Sequence, residues 1–382
     1  MRILHTADLH LGRSLHGQSL LEDQAHVLDQ LVSMARAECP DVLIVAGDIY
    51  DRAVPPADAV TLLDDVIARL TLDCKLPVIL VPGNHDSPER LTFGARILST
   101  CNLHIFSSFG PNNVVSLSDQ HGPVDIYSVP FAEPPVARQE LDCPEIMDHN
   151  SAIQEVVRRI RETRVAGRRS VLLAHGFVAG GEATESERPL VVGGAGAVEP
   201  AGLAGFDYVA LGHLHRPQTA GHENIHYAGS ILAYSFAEAG QVKSVNLVEI
   251  GAWGDCKVER LPLRPRHAVR CATGLFEDLK KGSAAGAAID DYLMITLQDR
   301  GPVLDAMGQL RQIYPNLLHV QRAEPVISGE AAAVRLDHRR TSTDQLFSSF
   351  FRQVTGQDLT EAESAAFAEV YQQSQIEMRE AA

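Results

Sequence analysis

An α/β layered fold is what this sequence predicts, and three observations carry the prediction. From residue 1 to about 260, short β-type runs alternate with segments of helical period. Runs such as Val42-Leu43-Ile44-Val45 are apolar at every position, as expected of strands buried on both faces between helix layers. Several of these runs also end in Asp, Asn or His, which places polar chemistry beyond the carboxyl ends of the strands, where α/β sheets bind ligands.

The predicted strands are Arg2–His5, Val42–Ala46, Val78–Val81, Asp125–Val129, Val171–Ala174 and Tyr208–Leu211. Between the first two, Leu21, Ala25, Leu28, Val32 and Ala35 recur at steps of three and four and define an amphipathic helix. Val60, Leu63, Ile67 and Leu70 repeat the pattern before the third strand, and Ile153, Val156, Val157 and Ile160 before the fifth. The texture then changes to Ile225–Ala228, Ser244–Ile250 and Lys257–Leu261, three strand-like runs without helices, expected to continue the sheet antiparallel. The Pro- and Arg-rich stretch 261–266 reads as a boundary that closes a first domain over residues 1–262.

A small α/β unit over residues 267–328 should follow. Its strands are His267–Cys271, Tyr292–Leu297 and Leu317–Val320, with a helix near Leu275–Leu279 and a second opened by Gly301-Pro302 that shows Val303, Met307, Leu310 and Tyr314 on one face. Residues 329–340 read as a linker. In 341–382 two short helices are announced by the capping boxes Ser342-x-x-Gln345 and Thr360-x-x-Glu363. Leu346, Phe347, Phe350, Phe351 and Val354 on one side of the first form either core or an apolar face offered to a partner.

Composition narrows the class. At 382 residues the chain is long for one domain and comfortable as two, and no segment approaches the roughly 18 apolar residues of a membrane span. The opening Met1-Arg2-Ile3-Leu4-His5 shows no secretory pattern, so a cytoplasmic location is expected. Six scattered cysteines without a CxxC pair argue against a zinc knuckle or a disulfide framework and are read as small buried hydrophobes. A net charge of −16 disfavours a chain that coats nucleic acid unaided. It leaves room for a nuclease whose metals offset acidic charge at the site.

The chemistry lies in Asp8-Leu9-His10, Gly47-Asp48, Gly83-Asn84-His85-Asp86, Ala174-His175-Gly176 and Gly212-His213-Leu214-His215, each after a predicted strand. Ligands two residues apart on extended chain point to one side, so each pair can face one cavity. Asp, Asn and four His without Cys suit Mn(II), Fe(II) or Zn, and there are donors enough for two metals. Two neighbouring metals can neutralise the charge that develops on the attacking and leaving oxygens of a phosphoryl group. Phosphoester hydrolysis is the reaction this set predicts. His5, His16, His26, His104, His222 and His226 lack that context and are read as structural or surface residues.

This ordered set resembles the calcineurin-like metallophosphoesterases. Within them, Thr6-Ala7-Asp8-Leu9-His10-Leu11-Gly12, Gly47-Asp48-Ile49-Tyr50-Asp51 and the later Asp291-Tyr292-Leu293, Gly301-Pro302-Val303-Leu304-Asp305, Tyr314-Pro315-Asn316 and Val354-Thr355-Gly356 are similar to the nuclease subunits of bacterial SbcCD double-strand-break repair complexes. The resemblance implies a four-layer α/β sandwich with a small capping domain and C-terminal helices. It implies one metal held by Asp8, His10, Asp48 and His215 and another by Asp48, Asn84, His175 and His213, with Asp48 bridging. His85 would be general acid or transition-state stabiliser. Asp51, where archaeal and eukaryotic relatives carry a second histidine, would orient His85 or a water. The implied activity is Mn(II)-dependent cleavage of DNA: duplex digestion from 3′ ends, single-strand cutting and hairpin opening. The implied partners are the SbcC ATPase, docked through the C-terminal helices, and a second copy of the chain. The absence of a GxxxxGK[ST] loop here fits an ATPase on another chain. Two other readings, a phosphodiesterase for small nucleotides and a metal-free scaffold, share the fold; the cap disfavours the first and the intact ligands the second. Arg158, Arg159, Arg161, Arg164, Arg168 and Arg169 read as a solvated helix face in preference to a phosphate contact.

Overall fold

Alternation along the strand Val42–Ala46 sets the layers. Leu43 and Val45 pack with Val27, Leu28, Leu31 and Val32 of the helix Leu21–Glu38 and with Ala59 and Val66 of the helix Ala57–Ala68. Val42, Ile44 and Ala46 turn the other way, to Val171, Leu173, Tyr208 and Ala210 of a second sheet. On the far side of that sheet Leu172, Val209 and Leu211 meet Ile153, Val156, Val157 and Ile160 of the helix His149–Thr163. Helices, sheet, sheet and helices thus form four layers with three cores, and truncating a fully buried Leu28 to Ala costs about 2–5 kcal/mol.

The computed structural model describes residues 1–187, 197–282, 289–299, 301–323, 345, 347–349, 351–352 and 356–380. The first sheet runs Cys256–Pro262, Ser244–Ile250, Arg2–Thr6, Val42–Ala46, Val78–Val81 and Leu103–Ile105. The second runs Gln218–Ala220, His222–Tyr227, Tyr208–Gly212, Arg169–His175, Gly122–Val129 and Val114–Asp119. The expectation of one continuing sheet is therefore corrected: Ser244–Ile250 and Cys256–Pro262 extend the first sheet antiparallel, whereas His222–Tyr227 lies parallel to Tyr208–Gly212 in the second. Strand-like runs that follow one another without helices are compatible with either sheet, so the pattern alone could not divide them.

Three parallel strands, Val269–Gly274, Tyr292–Leu297 and Leu317–Arg322, form a third sheet with its own core of Phe276, Leu279, Ile295, Leu310 and Tyr314. Its longer helix spans Ala306–Arg311 and does not open at Pro302: the Asp305 carboxylate accepts the Gly308 N–H at 3.2 Å and fixes the start there. Asp23 ties this unit down, accepting from Tyr292 Oη at 2.8 Å and from His267 Nδ1 at 2.8 Å. The cysteines depart from expectation, since none is buried: Cys39, Cys101 and Cys271 are exposed and the other three half-buried.

Contacts divide the chain into Met1–Ala323 and Glu324–Ala382. In the second unit the helix Glu361–Glu380 starts at its expected box, with the Thr360 N–H on Glu363 Oε2 at 2.8 Å and the Glu363 N–H on Thr360 Oγ1 at 3.3 Å. Phe347 and Phe367 stack with ring centres 3.7 Å apart. The box at Ser342, the linker 329–340 and Leu346, Phe350 and Val354 lie outside the described residues. Among the described residues no helix is long and apolar enough to cross a membrane.

Candidate metal centre

Backbone pairing continues past the strand ends and carries the polar residues with it. The Asp8 N–H donates to Gly47 O at 3.0 Å and the His10 N–H to Asp48 O at 2.9 Å, so the first two loops run on as a pair. Asp8, His10 and Asp48 take φ values of 52°, 44° and 50°, in the left-handed region that non-glycine residues enter at a cost, a concentration of strain typical of functional loops. Two glycines set how closely the sheets approach. A Cβ on Gly47, itself at φ 83°, would stand 2.2 Å from His175 Nδ1, and one on Gly212 would stand 1.7 Å from Ala46 O.

All five strand ends meet in one place, three from the first sheet and two from the second. Donor atoms of Asp8, His10 and Asp48 lie within 4.8 Å of one another, as do those of Asp48, His175 and His213, so Asp48 belongs to both groups. His215 Nε2 lies 3.1 Å from His10 Nε2. Asn84 Oδ1 lies 2.9 Å from His175 Nε2 and 3.2 Å from His213 Nδ1. The two carboxylates and four histidines are buried, and Asn84 is half-buried. Burial and the Asp48 charge push the Asp8 carboxyl well up. Burial, with neighbouring imidazoles, holds His10 and His213 well down, and burial lowers His175. Neutral imidazoles beside crowded carboxylates are what a divalent cation requires.

The donor set fits such ions on a further ground. His175 Nδ1 lies 2.8 Å from Ala46 O, and a carbonyl only accepts, so Nδ1 carries the proton and Nε2 presents a lone pair. The atom facing it is Asn84 Oδ1, also an acceptor. Two lone pairs 2.9 Å apart repel, and Asn84 Nδ2, which could donate to Nε2 if the amide turned over, is instead buried without a partner, an arrangement that suits a cation between the two acceptors.

Around this centre the structure gives roles that local sequence did not. Asp86 accepts from the Ile49 N–H at 3.0 Å, Tyr50 N–H at 2.9 Å and Gly83 N–H at 2.9 Å, clamping the second and third loops together. His85 donates its main-chain N–H to Asp48 Oδ1 at 2.9 Å, and its Nδ1 donates to the main-chain carbonyl of Asp51 at 2.8 Å. Asp51 thus meets His85 through backbone, while its carboxylate faces Arg13 Nη1 at 3.2 Å and lies 3.7 Å from His10 Nδ1. Arg13, over the Tyr234 ring at 5.2 Å, and Tyr234, edge-on to His10 and His215, sit in irregular loops that no periodicity marks. The arginines of 158–169 are engaged elsewhere: Arg158 and Arg159 with Glu155, Arg161 and Arg164 with carbonyls of 202–205, Arg168 with Asp125 and Arg169 with Asp119. Of the histidines set aside, His5 is buried against Tyr208 and His16 stacks on His319.

Comparison with known proteins finds the calcineurin-like phosphoesterase family over residues 1–217 and the type 5 capsule protein repressor C-terminal domain over residues 265–355. The SbcD subunit of nuclease SbcCD from Staphylococcus saprophyticus is 34% identical over 367 residues, covering 95% of this chain and 96% of that protein. Among solved structures, TT1561 of Thermus thermophilus and a dimetal phosphatase from Danio rerio are similar at 16% and 14% identity, each over 69% of this chain and 99% of the other, with TM-scores of 0.40. A family match over residues 1–217 of 382 and an end-to-end relative at 34% identity place the chain in the calcineurin-like phosphoesterase family, as a homologue of the SbcD subunit of nuclease SbcCD.

Proposed function

We propose that the chain is the nuclease subunit of a DNA double-strand-break repair complex, a Mn(II)-dependent hydrolase of DNA phosphodiesters that digests duplexes from 3′ ends, cuts single strands and opens hairpins. The observation that carries this reading is Asp48, common to two groups of buried donors. In it Asp8, His10, Asp48 and His215 would hold one Mn(II), and Asp48, Asn84, His175 and His213 the other. The metals supply charge neutralisation at the phosphoryl group and activation of the attacking water. The chain's own part is proton handling and alignment. With Nδ1 committed to the Asp51 carbonyl, His85 can give a proton only from Nε2, and only as imidazolium, to the leaving oxygen. Asp51 supports this as an orienting residue through its carbonyl, and its carboxylate secures Arg13 at the rim.

The same proposal assigns partners. Phe93 is 86% exposed and Ile97 75% exposed, on the segment directly after the His85 loop, and they form the face that meets a second copy of the chain. Val370 and Tyr371, exposed on the helix Glu361–Glu380, belong to the surface for the SbcC ATPase, giving a dimer of nuclease subunits within a heterotetramer.

Digestion of a 3′-labelled duplex with Mn(II), with and without SbcC and ATP, tests the reading. Progressive release of label is expected. Cleavage of a small chromogenic diester with duplex ends left intact, even with SbcC present, would replace it by a phosphodiesterase for small nucleotides.

A further inference from the structure

Behind His215 the structure places a buried polar network that is independent of the strand-end motifs. Glu238 is fully buried in the turn Phe236–Glu238, between the two segments matched by family comparison. Its Oε1 lies 3.1 Å from His215 Nδ1 and accepts from the Ser186 hydroxyl, which itself lies 2.9 Å from the same Nδ1. Its Oε2 accepts from Lys243 Nζ, whose remaining bonds go to His215 O at 2.8 Å and Gln241 Oε1 at 3.0 Å.

Proton accounting fixes the arrangement. A carboxylate oxygen only accepts, so a ring nitrogen 3.1 Å from it must carry the hydrogen. The Ser186 hydroxyl hydrogen points at Glu238, leaving that oxygen free to accept from Nδ1 as well. Lys243 neutralises the carboxylate, so Glu238 can hold the imidazole without drawing a second proton onto it. Nε2 is then bare, and it is the atom 3.1 Å from His10 Nε2, inside the donor cluster.

We infer that Glu238, anchored by Lys243 and completed by Ser186, is a positioning residue that sets His215 in the Nδ1–H tautomer and so presents Nε2 to the metal centre. The inference rests on the proposal that His215 is a ligand. Carboxylates behind metal-binding histidines act in this way in other metalloproteins, and their loss weakens metal binding about 10–100-fold.

Two variants test it: Glu238→Gln, and Glu238→Gln with Lys243→Met, which removes the buried ammonium that the single change leaves without its carboxylate partner. In metal-free, histidine-15N-labelled full-length protein, long-range proton–nitrogen spectra report the His215 tautomer, with His215→Gln identifying the signal. The parent should show the Nδ1–H form, and both variants a mixture. Mn(II) titration followed by electron paramagnetic resonance should show one of two sites weakened about 10–100-fold in both variants. Cleavage should need more Mn(II) for half-maximal rate while approaching the parent rate at saturation, a split that general destabilisation would not produce. Both variants keeping the parent tautomer and the parent Mn(II) affinity would overturn the inference. A His215→Gln protein that binds both Mn(II) ions as tightly as the parent would instead overturn the ligand assignment beneath it, and the metal-free spectra separate the two failures.

Discussion

Replacing Asp86 by Asn probes the joint between the two loops that carry Asp48 and Asn84. One carboxylate oxygen takes the Ile49 and Gly83 N–H groups and the other takes Tyr50 N–H, all within a buried site. An amide has one accepting oxygen. In its better orientation it keeps Ile49 and Gly83 and turns its own NH2 on the Tyr50 N–H, so at least one buried donor goes unpaired. That costs about 1–3 kcal/mol, and the two surviving bonds lose the strengthening that a charged acceptor gives. Relief of repulsion from Asp48, which together with burial pushes the Asp86 carboxyl up to about 7, opposes the loss in part. For a unit of this size the net should appear as a thermal midpoint lower by about 2–6 °C. Because the clamp aligns the loops of the proposed ligands Asp48 and Asn84, Mn(II) should bind roughly 10-fold more weakly. Differential scanning calorimetry of the metal-free protein and Mn(II) titration measure the two effects separately. A variant with parent midpoint and parent Mn(II) affinity would refute the claim that three amides on one carboxylate hold the loops together.

Three further outcomes are expected. His85→Gln should keep both Mn(II) ions in titration and lose about 10²–10⁴-fold in cleavage rate, the contribution of a general acid. Asp119→Asn should lower stability at pH 7 by about 1–3 kcal/mol, because the Arg169 guanidinium holds that carboxyl well below its ordinary 3.8. A depressed carboxylate contributes fully above its unfolded value and less as pH falls below it, so the gap between variant and parent in urea melts should close on acidification below about pH 4 and be constant from about 5 to 7. Phe93→Glu should convert a dimer to a monomer in light scattering while leaving Mn(II) binding intact; an unchanged mass would move the dimer face elsewhere.

The strands that carry the site were readable because each is a continuous apolar run closed by a ligand. Val42–Ala46 and Val78–Val81 end where the sequence pattern ends them. Two strands at sheet edges were not: Val114–Asp119 alternates exposed and covered residues, and Leu103–Ile105 is too short to show a period. Sheet membership was also invisible, since a strand buried on both faces has the same composition in either sheet. The cysteines misled for a simpler reason: a general preference for burial says nothing about a particular loop.

Within the site, legibility follows how far apart in sequence the cooperating groups lie. His213 and His215 announce themselves because two donors stand two residues apart just past one strand, and Asp8 with His10 likewise, although Asp8, His10 and His213 take positive φ there in place of the extended backbone that the spacing suggests. The supports do not, because each reaches a partner that no window contains: Asp86 closes on amides 36 and 37 residues earlier, His175 donates to a carbonyl 129 residues earlier, and Glu238 meets a histidine 23 residues earlier. Asp51 shows the limit most plainly. The family resemblance implies an orienting role for this residue, yet its contact to His85 is made by the main-chain carbonyl, which any residue offers. What the side chain adds is the hold on Arg13 and a carboxylate within 4.8 Å of donor atoms of His10 and His85, so substitution of Asp51 should act first through Arg13 and the charge beside those imidazoles, and leave the hydrogen bond that orients His85 to the backbone.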